Sequence, residues 1–95
     1  MEKTSESITV QTGAEFTISL QSTPSSGAIW YMGQIPDGLS FIEEKRAVGD
    51  SIGSETSQIF TFYARNPGSY TLKFEYKRTW EQEIRKQKDI SVQVL

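Results

Sequence analysis

Apolar residues along this chain recur mostly at every second position, the spacing of a strand with one face buried. Ile8 and Val10 alternate with Thr9 and Gln11, and Phe16, Ile18 and Leu20 alternate with Thr17 and Ser19. Ala28, Ile29, Trp30, Tyr31 and Met32 form a continuous apolar run, and Leu39 and Phe41 precede the acidic pair Glu43 and Glu44. Phe60, Phe62 and Ala64 share a face. Leu72, Phe74 and Tyr76 alternate with Lys73, Glu75 and Lys77, and Ile90, Val92 and Val94 close the chain. The pattern predicts seven short strands.

Residues that preset or free the backbone φ sit between these runs, and Asn66, Pro67 and Gly68 make the strongest turn signal. The charged stretch 81–89 is rich in Glu, Gln, Arg and Lys, which are good helix formers. Trp80 and Ile84 alone give it a thin apolar stripe, so a long loop or frayed strand extension is expected there. Seven short strands at regular spacing predict an all-β sandwich. In immunoglobulin domains a tyrosine stands at the corner entering strand F, two residues before a disulfide cysteine, and a tryptophan of strand C packs in the core. Tyr70, Leu72 and Trp30 take those three places, so the expected fold is an immunoglobulin-like β-sandwich of about seven strands.

With 95 residues the chain makes one domain over 1–95. A chain of this size buries only roughly 60–65% of its unfolded surface, enough for one core. Residues 1–7 are polar and are expected to form a disordered tail without the apolar stretch of a signal peptide. The compartment stays open, cytoplasmic or exported. Net charge is −2 with scattered lysines, so no basic stripe marks a nucleic-acid site. No apolar run approaches the ~20 residues of a membrane span. A monomer is expected.

Cysteine and histidine are both absent, which removes disulfides, thiolate or imidazole metal sites and every Ser-His or Cys-His nucleophile pair. No metal or cofactor is expected. Carboxylates such as Asp37, Glu43, Glu44 and Asp50 remain, but paired catalytic carboxylates need a pocket between them, and a small sandwich rarely has one. An enzyme is therefore not expected.

Three connections are richer than plain turns. Between strands B and C lie Ser22, Thr23, Pro24, Ser25, Ser26 and Gly27, where Pro24 presets φ and Gly27 permits a positive one. Between D and E runs a long stretch, 49–57. Lys77, Arg78, Thr79 and Trp80 leave strand F. Trp80 shares the parity of Leu72, Phe74 and Tyr76, so it either extends the core or stands out as an exposed anchor; Arg and Trp are enriched in binding hot spots. On composition alone, the first two segments read as an ordinary turn and a solvated linker. In a seven-strand sandwich, however, all three connections fall at one end.

At these residues the chain resembles the chagasin family of cysteine-protease inhibitors. That family carries Asn-Pro-Thr-Thr-Gly ahead of a Trp in its B–C loop, where Thr23, Pro24, Ser25, Ser26 and Gly27 precede Trp30. Its D–E loop reads Gly-x-Gly-Gly before a Phe; Gly53, Ser54, Glu55 and Thr56 precede Phe60 and lack two of the glycines. Its F–G loop reads Tyr-x-Arg-Pro-Trp, matched by Tyr76, Lys77, Arg78, Thr79 and Trp80 with Thr for Pro. The match runs from the Ile8 strand to Val94. The resemblance implies reversible, tight-binding inhibition of papain-like cysteine proteases. Pro24, Ser25, Ser26 and Gly27 would sit nearest the enzyme's catalytic Cys and His, with Thr23 beside them. Arg78, Thr79 and Trp80 would brace one flank, and Gly53, Ser54, Glu55 and Thr56 the other. The alternative expectation is a non-inhibitory adhesive or structural immunoglobulin-like module.

Overall fold

The computed structural model describes residues 2–23, 27–48 and 56–95. Seven strands are present: β1 (Glu2–Val10), β2 (Glu15–Ser22), β3 (Ala28–Met32), β4 (Leu39–Val48), β5 (Thr56–Ala64), β6 (Gly68–Arg78) and β7 (Lys86–Val94). They form two sheets, β1-β7-β6-β3 and β2-β5-β4. Every neighbouring pair is antiparallel except β1 with β7.

The alternating pattern does what it predicts. Phe16, Ile18 and Leu20 of β2, Phe60, Phe62 and Ala64 of β5, Leu72, Phe74 and Tyr76 of β6, and Ile90, Val92 and Val94 of β7 turn inward and are buried. Phe60 meets Phe74 across the gap between the sheets with ring centroids 5.0 Å apart, and Phe16 stacks on Phe62 at 5.4 Å. Burying aromatic and aliphatic side chains on both inner faces holds the sheets together.

The corner signals hold as well. The Tyr70 hydroxyl donates to the carbonyls of Asn66 (3.0 Å) and Pro67 (3.2 Å), closing the turn into β6. Leu72 is fully buried, and Trp30 packs against Tyr76 at 5.0 Å. The 79–85 segment is irregular, as expected of a loop.

One expectation fails. Residues 1–7 are not a tail from Glu2 onward, because β1 starts there and pairs in parallel with β7 from Glu2↔Lys86 to Val10↔Val94. Backbone pairing holds this segment, helped by Lys3–Asp89 (3.6 Å) and Lys88–Glu6 (3.3 Å) ion pairs. The side chains of residues 2–7 stay exposed, so no hydrophobic alternation announced the strand.

Edge strand β4 carries a bulge at Ile42 and the charged run Glu43, Glu44, Lys45 and Arg46. Bulges and charges of this kind discourage edge-to-edge pairing with another chain.

Candidate functional site

Strand direction sorts the connections. The ends of β2, β4 and β6 and the starts of β3, β5 and β7 share one end of the sandwich. There Ser22 pairs with Thr56, Thr56 with Val48, and Ala28 with Arg78. The three singled-out connections are rooted in these rows.

The F–G connection is braced by its own charges. Glu81 accepts from Arg78 (3.2 Å) and lies 3.8 Å from Arg85, while the Arg85 amide donates to the Tyr76 carbonyl at 2.8 Å. The Arg78 guanidinium also sits 5.9 Å from the centre of the Trp80 ring, within cation–π range. Trp80 itself is 69% exposed, which decides between the two places its parity allowed: it is outside the core. β6 ends at Arg78 and the chain turns, so parity no longer applies beyond that point. Thr79 is exposed beside it.

Trp80 is not isolated. A Cβ built on Gly27 would run into the Trp80 indole, and Gly27 has a φ of +83°, which L side chains rarely adopt. The last described residue of the B–C connection therefore lies against the F–G tryptophan. This contact joins two of the three connections into one surface.

Beneath that surface runs a set of buried polar groups. The Ser22 hydroxyl donates to the Thr56 carbonyl (3.2 Å), and the Thr23 amide donates to the Tyr76 hydroxyl (3.1 Å). The Trp30 indole N–H donates to the Gln21 carbonyl at 2.9 Å. Gln58, fully buried, accepts from the Trp30 amide through Oε1 (2.8 Å) and donates through Nε2 to the Trp30 carbonyl (3.1 Å) and to Glu44 (3.2 Å). Among the described residues no buried side-chain polar atom lacks a partner. Such fully satisfied networks rigidify what they touch.

Of the residues singled out in the sequence, Thr23, Gly27, Arg78, Thr79 and Trp80 come together at this end. Pro24, Ser25, Ser26, Gly53, Ser54 and Glu55 lie outside the described residues. Thr56 needs a correction: it is the first residue of β5, 4% exposed, and its side chain faces inward. It is a root of the D–E connection, because its backbone pairs with Ser22 on one side and Val48 on the other. Gln58 went unnoticed in the sequence, although a polar residue on the apolar face of β5, in register with Phe60 and Phe62, is a visible signal.

The chain belongs to the chagasin family of peptidase inhibitors, family I42, whose model matches residues 9–94. Its fold is shared with the cysteine protease inhibitor EhICP2 from Entamoeba histolytica, at 18% identity and a TM-score of 0.76, covering 98% of this chain and 97% of that one. Amebosin, whose structure was determined in solution, matches at 22% identity and a TM-score of 0.67, covering 100% of this chain and 99% of that one. No curated protein matches the chain significantly. Membership makes the protein a peptidase inhibitor, not an enzyme, and favours the inhibitor expectation over the adhesive module.

Proposed function

We propose that this protein is a reversible, tight-binding inhibitor of papain-type cysteine proteases, and that the end bearing its B–C, D–E and F–G connections enters the enzyme's active-site cleft. The observation that carries this reading is the exposed Trp80 lying across Gly27, held in turn by Arg78 and Glu81. A large exposed aromatic is unfavourable in water, and a ring held in place loses little conformational entropy on docking.

The chemistry of inhibition needs no reacting group on this chain. Gly27 leaves the room in which the Trp80 ring lies against the backbone. Thr79 offers a small, exposed polar side chain beside Trp80. Glu81 and Trp80 hold the Arg78 side chain near the surface without burying it completely. An interface of ~800 Å² per partner is the usual size for such complexes, and it lies within the reach of three connections rooted side by side.

The test is titration of active papain and a cathepsin L-like enzyme with the folded protein, followed by dilution. The expected result is stoichiometric loss of activity, recovery of activity on dilution, and inhibitor recovered uncleaved. No inhibition of either enzyme at micromolar folded protein would overturn the reading.

A further inference from the structure

Strand β3 is the last strand of its sheet, so one row of its backbone groups faces no neighbouring strand. At Trp30 that row is filled by a side chain from the other sheet. The Gln58 amide receives the Trp30 N–H and donates to the Trp30 C=O, making the two bonds that another strand would make. Its remaining described bond runs to Glu44, which is paired with Arg46 at 2.9 Å. A chain of bonds therefore crosses the sandwich from β3 through β5 to β4.

Both ends of this chain matter for placement. Trp30 lies three residues after Gly27, where the B–C connection enters β3. Gln58 lies two residues after Thr56, where the D–E connection enters β5. Ser22 adds a bond from the other limb of the B–C connection to Thr56. No strand pairing links β3 to β5, because they belong to different sheets. The Gln58 amide is thus a direct hydrogen-bonded link, in the described residues, between the exit of one connection and the exit of the other.

We infer that Gln58 is a positioning residue for protease inhibition: its clamp on Trp30 sets where the B–C connection enters β3 relative to where the D–E connection enters β5. This rests on the inhibitor reading above. Hydrophobic burial is non-directional, whereas two hydrogen bonds to one residue's backbone define a register. Shifting one entry against the other weakens fit to a partner without unfolding the domain.

The experiment compares inhibition of papain by the parent chain, Gln58→Leu, the near-isosteric double variant Gln58→Glu with Glu44→Gln, and Val92→Ala. Val92 is a buried core residue paired with Tyr70, far from the clamp, and serves as a control for lost stability. In the double variant, a carboxylate at 58 can still accept from the Trp30 amide and from an amide at 44, but it loses the bond donated to the Trp30 carbonyl, half of the clamp. The expected result is a Ki raised about tenfold or more in Gln58→Leu, an intermediate Ki in the double variant, and an unchanged Ki for folded Val92→Ala. Amide exchange at Trp30 is expected to quicken in Gln58→Leu only. Unchanged Ki in either folded Gln58 variant beside a potent parent overturns the clamp alone. Unfolding of both Gln58 variants also overturns it, because Gln58 would then support the whole sandwich rather than aim its connections. An inactive parent overturns the inhibitor reading itself, and that result is visible without any variant.

Discussion

The two ends of the sandwich are closed by different means. At the corner end, connections are tied to one another by backbone. Gly38 O accepts from Arg65 N (2.9 Å) and Asn66 N (3.2 Å), Gly13 N donates to Ala64 O (2.8 Å), and Thr12 N donates to Leu95 O (2.9 Å). Tyr70 caps this end with its hydroxyl on Asn66 and Pro67. At the other end, several ties are made by side chains at the roots of the connections: Ser22, Gln58, Trp30 and Tyr76. The largest exposed aromatic, Trp80, sits at that second end. Tying connections to each other consumes their backbone groups. At the second end the described roots are tied, and the Thr79 and Trp80 side chains stay open to water. The first arrangement suits an end that must stay shut, and the second an end that must fit another protein.

The contrast can be broken from either side. The largest effect is expected from Gly38→Ala. Gly38 has a φ of +106°, and a Cβ there would collide with the Tyr70 ring. Backbone strain and overpacking together cost about 2–4 kcal/mol. Urea or thermal unfolding should show this loss, while Ki for papain, measured where the variant is folded, should not change. Trp80→Ala should do the reverse. Losing a central anchor weakens binding by about 2 kcal/mol, roughly 30-fold, and removing an exposed side chain should leave the unfolding midpoint in place.

A smaller change sharpens the corner end. Tyr70→Phe keeps the ring but removes the donor to Asn66 and Pro67, so stability should fall by about 1 kcal/mol. Urea denaturation should show a lower midpoint at an unchanged slope. The smallest effect is expected at Asp37, whose side chain is fully open to water where it pairs with Arg65 (3.1 Å). Asp37→Asn should shift neither melting temperature nor inhibition measurably, since such pairs are screened and flexible.

Much of this architecture could be read from the chain. Period-two alternation located the strands β2, β5, β6 and β7 because each has one face in the core. The Tyr70 corner was readable because its chemistry is local, a hydroxyl reaching carbonyls three and four residues back. The start of β1 was not readable, since its hold on β7 comes from backbone pairing and from ion pairs whose β1 partners, Lys3 and Glu6, are exposed. The exposure of Trp80 could not be settled from parity, because β6 ends two residues before it. Gln58 eluded the reading for a different reason. Its partners, Trp30 and Glu44, are 28 and 14 residues away and belong to different sheets. A polar residue on an apolar face signals that some partner exists, but only the fold says which.

The most direct test of the division between the two ends is a map of backbone and indole NMR signals during titration with papain whose catalytic cysteine is blocked by a small group. The chain has two tryptophans, hence two indole N–H signals, one buried against Gln21 and one exposed. The account predicts that the Trp80 indole and the amides of Thr23, Gly27, Arg78 and Thr79 shift or broaden first. Gly38, Asn66 and Tyr70 should keep their free-state positions apart from general broadening. Perturbation centred on Gly38, Asn66 and Tyr70, with the Trp80 indole unmoved, would contradict the account.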